Sequence, residues 1–169
     1  NPRTCSMWDY PDGPWNPERN TREFLAAMPT WRAHGMLAFG INMQGGSPMG
    51  YSQKQPWINI GYNADGSLRD DYLGRMTRVI ERADALGMVV LLGLFYFGQD
   101  EWMLDEAAVL AAVDNMTDWL CERQYANVIV EINNECDVPK YEHEILCPYR
   151  VHELIQRVQR RSAGKLASP

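Results

Sequence analysis

The stretch from Val128 to Asp137, VIVEINNECD, opens as an aliphatic β-strand and closes in amides and carboxylates. Burying charge at the end of an apolar strand costs free energy unless the charge is paired, hydrogen-bonded or put to use. Side chains alternate along a strand, so Ile129, Glu131, Asn133 and Glu135 share one face and Val128, Val130 and Ile132 the other. The aliphatic face belongs under helices. Glu131 and Glu135 therefore point the other way, which in a closed barrel is inward, with Glu131 the deeper of the two. A deep Glu needs a cationic or amide partner, whereas one at the mouth can meet a ligand.

Outward from this strand the chain alternates helix and strand. Val109, Val113, Met116 and Leu120 mark an amphipathic helix before it, and Val151, Leu154, Ile155 and Val158 mark one after it, with Pro148 at the expected start. Met88 to Tyr96 is a near-continuous apolar run, as in a parallel strand buried on both faces. It follows a helix whose expected stripe is Tyr72, Met76, Val79, Ile80 and Ala83 and whose stop is Gly87. Met36 to Met43 forms a strand with one large parity (Leu37, Phe39, Ile41, Met43) and one small, then polar (Ala38, Gly40, Asn42, Gln44). The first helix presents Phe24, Met28 and Trp31; Asn20 is its expected cap with Glu23 reaching back, Gly35 ends it, and Pro29 should kink or divide it.

The order α-β-α-β-α-β-α implies parallel strands with helical crossovers, in a β/α barrel or an open doubly wound sheet. No glycine-rich phosphate loop follows a strand, which disfavours nucleotide binding. In both architectures ligands collect at the carboxyl ends of strands. Here those ends are Asn42 to Gln44, Tyr96 to Asp100 and Asn133 to Asp137, flanked by long loops at residues 45–68 and 95–102.

Composition narrows the partners. The 169 residues are 46% hydrophobic and 22% charged, with a net charge of −6 from 22 acidic and 16 basic side chains and no basic block. Such a surface suits neither nucleic acid nor phosphate backbones. No apolar run reaches the ~18 residues of a membrane helix, and the chain reads as soluble. Six Trp and eight Tyr fall largely in loops, among them Trp8, Tyr10, Trp15, Tyr51, Trp57, Tyr62, Trp102 and Tyr141. Flat rings with a polar rim suit sugars; the plainer reading is that they pin loops to the body. Cys5, Cys121, Cys136 and Cys147 show no zinc spacing, and a Cys136–Cys147 bridge and solitary thiols are both open. His34, His143 and His152 are too scattered for a metal-dependent hydrolase, so neither metal nor cofactor is expected.

NVIVEINNE, residues 127–135, resembles the fourth-strand signature of retaining glycoside hydrolases of the cellulase-like clan, (β/α)8 barrels with an Asn-Glu pair and a further Glu four residues earlier. The resemblance extends to the spacing of elements over residues 21–163. It implies hydrolysis of O-glycosidic bonds with Glu135 as acid and then base, Asn134 on the sugar hydroxyl beside the reacting carbon, and Glu131 as a structural acid. Retaining enzymes place a second carboxylate, the nucleophile, ~5–5.5 Å from the first; on this resemblance it lies on strand 7, outside this chain. For Glu135 to hold its proton near neutral pH, burial and a neighbouring carboxylate are called for. By position at strand ends and loops, Trp57, Tyr96, Phe97 and Trp102 would stack on sugar rings, and Asn42, Gln44, Asn59, Gln99 and Asp100 would meet hydroxyls. Secretion to the outside or the periplasm follows from the resemblance alone.

A full barrel takes ~250 residues, and three strands with four helices fall short of it. The expected fold is α/β, a parallel TIM-barrel type incomplete in this chain: one domain over residues 1–169 holding about strands 2 to 4 and helices 1 to 4, the N-terminal half of a (β/α)8 barrel. The remainder lies in the same chain or in another. A non-catalytic carbohydrate-binding or scaffold protein on a glycosidase-like barrel is the alternative.

Overall fold

The computed structural model describes residues 10–44 and 59–166. Helix α1 (Pro17–Ala33) leads to strand β1 (Ala38–Asn42), α2 (Asp70–Ala85), β2 (Val89–Phe95), α3 (Glu106–Glu122), β3 (Val128–Asn133) and α4 (Val151–Arg161). Single 3-10 turns at Asp100–Trp102 and Glu144–Leu146 interrupt the last two strand-to-helix connections. The three strands form one parallel sheet in the order β1-β2-β3. The fold is α/β, three parallel strands and four helices in the arrangement of part of a β/α barrel.

Register decides which side chains share a face. Phe39 pairs with Val90 and Ile41 with Leu92, which pairs in turn with Val130, so the large parity of β1 turns outward beneath the helices. There Val90, Leu92, Leu94, Val128, Val130 and Ile132 are buried against Met76, Ile80, Val109, Val113, Met116, Leu154 and Val158. Phe24 of α1 closes this layer over β1, its ring 5.5 Å from that of Phe39. On the opposite face lie Ala38, Gly40, Leu91, Ile129, Asn42, Gly93 and Glu131. This inner face is open: Leu91 is 39% exposed, and Ala38, Gly40 and Glu131 are exposed as well. Mean burial on both faces, expected for β2, holds only on its outer side and at its carboxyl end.

Local chemistry shifts several boundaries. Asn16 caps α1, its Oδ1 accepting from the Arg19 N–H at 2.8 Å, because Pro17 supplies a preset first-turn φ where an amide hydrogen is not needed. The cap expected at Asn20 lies a full turn inside the helix, and Glu23 pairs instead with the Arg19 Nε at 2.9 Å. The helix runs as one element across Pro29 rather than dividing there. Gly35, at φ 91°, ends it with its N–H on Arg32 O. Pro148 stands in a turn, and α4 begins at Val151. Leu73 rather than Tyr72 lies in the buried stripe of α2, since the Tyr72 hydroxyl donates to Asn42 O at 2.5 Å.

Three arginines of α4 or its approach fasten it to α3: Arg150 on Glu106 at 2.8 Å, Arg157 on Asp114 at 2.5 Å and Arg161 on Asp118 at 2.6 Å. Partly exposed pairs of this kind add little stability each; what they fix is the register of α4 along α3. Cys121, Cys136 and Cys147 are free thiols, so the Cys136–Cys147 bridge does not form, and Cys5 lies outside the described residues.

Candidate active site

The carboxyl ends of the strands carry the polar residues singled out above. Asn42, Gly93 and Glu131 occupy one row across the inner face. A Cβ on Gly93 would come within 2.1 Å of Asn42 Oδ1 and 3.3 Å of Glu131 Oε2. Only glycine leaves room for both oxygens to converge on that point. The strand wall shields one side of Glu131, and this burial pushes its carboxyl above the ordinary range although the other side is open.

Above this row the chain closes on itself. Phe95 pairs with Asn133, and the buried Tyr62 stacks on Phe95 with ring centroids 5.7 Å apart. Gln44 is fully buried: Oε1 accepts from the Tyr96 N–H at 3.1 Å, and Nε2 donates to Gln99 O at 3.2 Å. The expected sugar contact therefore appears as a clamp between the ends of β1 and β2. Trp102 is half-buried and donates from its indole to Tyr62 O at 3.1 Å, the loop-pinning role. Tyr96 is half-buried against Phe97, with centroids 4.5 Å apart, and Asn59 is half-buried. Trp57, with Trp8 and Tyr51, lies outside the described residues.

Asp100 is fully buried, as are nearly all atoms of Gln99. Asp100 Oδ2 accepts from the N–H groups of Glu142 and His143 at 2.8 and 3.0 Å, joining the loop after β2 to the loop after β3. Burial pushes its carboxyl up, and the two N–H groups only partly offset that. The neighbouring Glu101 is raised by burial too, with the Asp100 and Glu142 charges adding to the effect. A raised carboxyl keeps its proton to higher pH in the folded chain. Its contribution to stability is full below the ordinary Asp value of 3.8 and is lost as pH rises through the folded value. Asp100→Asn keeps one oxygen for the two N–H groups without that loss. Its unfolding free energy relative to the parent is expected to climb as pH is raised from about 4, read by urea denaturation at several pH values. A difference independent of pH would contradict it.

The Asn134–Glu135 turn follows β3 directly. Asn134 is half-buried; its N–H donates to Phe95 O at 3.1 Å, and its carbonyl accepts from the Tyr141 hydroxyl at 2.5 Å. Glu135 adopts φ 48°, a left-handed conformation that is strained for a side chain of this kind. It is exposed, so the burial expected around it is not supplied by the described residues. Among the described residues no cluster of His, Cys, Asp or Glu fit to hold a metal ion is present, and no helix is long and apolar enough to cross a membrane. Tyr72, Gly93 and Tyr141 are the residues that position this site without having been singled out for it. Tyr141 figured only as one loop aromatic among several, and nothing in its spacing marks a hydroxyl aimed at Asn134.

The fold and this arrangement define a class: a β/α-barrel-type sheet with its polar groups gathered at the carboxyl ends of the strands. Among solved structures, the chain is similar to a trimodular endoglucanase of the GH5_4 subfamily, with a TM-score of 0.50 and 17% identity over 83% of this chain and 25% of the endoglucanase. It is also similar to a GH5-4 broad-specificity endoglucanase from Clostridium longisporum, with a TM-score of 0.49 and 11% identity over 83% of this chain and 38% of that one. This chain thus spans a quarter of the length of the first. At such identities the likeness is one of fold alone. No protein-family model and no curated protein matches the chain.

Proposed function

We propose that the chain is part of a retaining glycoside hydrolase, in which Glu135 is the acid/base and Asn134 binds the hydroxyl beside the reacting carbon. The nucleophile comes from outside these residues, on the remainder of the barrel. The observation that supports this most is the placement of the Asn134–Glu135 turn at the carboxyl end of β3, above an open inner face that carries Asn42 and Glu131 in one row. The strain at Glu135 fits the same reading, since non-glycine residues held at positive φ gather at functional sites. On this reading, closure of the barrel over the inner face would bury Glu135 and bring the second carboxylate within ~5.5 Å.

The exposure of Glu135 favours a second reading, a carbohydrate-binding or scaffold protein without catalysis. Assays of the full-length protein on β-linked polysaccharides and aryl glycosides separate the two. Hydrolysis that releases the sugar with its anomeric configuration retained is the expected result. Binding of the same polysaccharides with no hydrolysis would leave the second reading, and inversion of configuration would exclude the two-carboxylate retaining mechanism.

A further inference from the structure

Between β3 and α4, residues 140–143 lie as a strap across the loop that follows β2. The Gly98 N–H donates to Lys140 O at 3.3 Å, and the Lys140 ammonium lies 5.5 Å from the centre of the Phe97 ring. The Tyr141 ring stands edge-on to Phe97, with centroids 6.5 Å apart. Beyond it the Asp100 carboxylate takes the next two backbone N–H groups, and His143 Nε2 lies 3.1 Å from Asp100 O. Every one of these contacts ties the strap to the β2 side. Toward β3 the strap reaches back through the Tyr141 hydroxyl, which donates to Asn134 O and also meets the Asn133 side chain.

That carbonyl belongs to the same planar peptide unit as the Glu135 N–H. Fixing the direction of the carbonyl fixes the plane about which Glu135 turns, and Glu135 is a residue held at φ 48° against its own preference. From the other side, the Asn134 N–H is held by Phe95 O. We propose that Tyr141 is a positioning residue: its hydroxyl locks the Asn134–Glu135 peptide and so keeps Glu135 in its left-handed conformation. The proposal rests on the reading of Glu135 as acid/base for its consequence in catalysis, but its structural half stands on geometry alone.

Tyr141→Phe keeps the ring against Phe97 and removes the hydroxyl. A crystal structure of the variant is expected to show Glu135 relaxed to negative φ; a φ that stays near its parent value overturns the lock whatever the activity. In the full-length protein, kcat on a polysaccharide is expected to fall about tenfold with KM changed less than about twofold, because a displaced catalytic group loses transition-state geometry rather than binding. The loss should be smaller on dinitrophenyl glycosides, whose leaving group needs no proton, and should vanish in a Glu135→Gln background. An equal loss on both substrates, or an undiminished loss in the Gln background, reduces Tyr141 to a structural role. An inactive parent protein overturns the glycosidase reading instead, and the φ of Glu135 then decides the lock by itself.

Discussion

Glu135→Gln in the full-length protein is expected to lower kcat on a polysaccharide by roughly 10²–10⁴-fold, the usual worth of a general acid/base. The amide is too weak an acid to protonate the leaving oxygen and too weak a base to activate the water of the second step. A substrate with a phenolate leaving group needs no acid in the first step, so the variant should still form the glycosyl-enzyme from it and then stall, with a reduced KM. The fold should be untouched, since the Glu135 side chain is exposed. A companion substitution probes the strain. Asn tolerates the left-handed region, and Glu135→Asn is expected to stabilise the chain by about 1 kcal/mol while abolishing turnover. Rising stability with falling activity at one position marks a residue retained for its chemistry. Unchanged turnover in Glu135→Gln would remove it from the mechanism, and a loss of stability in Glu135→Asn would mean that the turn is not strained.

Periodicity carried the fold because the two faces of the sheet meet different neighbours. The strictly aliphatic Val128, Val130 and Ile132 had to face helices, and the large parity of β1 had to join them; the register bears both out. Element order then left few topologies. Ends were less legible, because a cap is a contest between local hydrogen bonds: Asn16 and Asn20 both fit a capping pattern, and Pro17 decided it. The polar site residues divided for a reason that sequence does not hold. Gln44 and Asp100 carry the same hydrogen-bonding groups that a sugar would engage, but the long loops fold back and consume them on backbone N–H and C=O groups. Asn42 and Glu131 remain on the open face, set there by strand register, which the alternation did foretell for Glu131; Glu135 lies past the end of β3 in a turn at φ 48°, where the alternation no longer applies.

Gly66→Ala should give the largest loss of stability of any single methyl addition among the described residues. Gly66 closes the turn begun by Asn63, donating its N–H to Asn63 O at 3.0 Å, and it does so at φ 84°. Alanine there costs ~1–2 kcal/mol in backbone strain alone. Its Cβ would also lie 2.2 Å from Ala108 O and 2.8 Å from Ala112 N, both backbone atoms of α3 that no rotamer change can move aside. Overpacking of this kind adds ~1–3 kcal/mol, and the Asn115 Nδ2 bond to Gly66 O, 3.0 Å long, is strained with it. A total of about 2–5 kcal/mol corresponds to a fall in Tm on the order of 5–15 °C for a chain of this size. The damage should extend to the site loop, because the Leu104 N–H is tied to Ala64 O in the same turn and Trp102 is tied to Tyr62 O just before it. Gly74→Ala is the matched control: it lies in α2 at ordinary φ with nothing within 4 Å of the added methyl, and it should stabilise by up to about 1 kcal/mol. Thermal unfolding of the two variants beside the parent tests the pair. Equal effects would mean that the turn at residues 63–66 does not pack against α3.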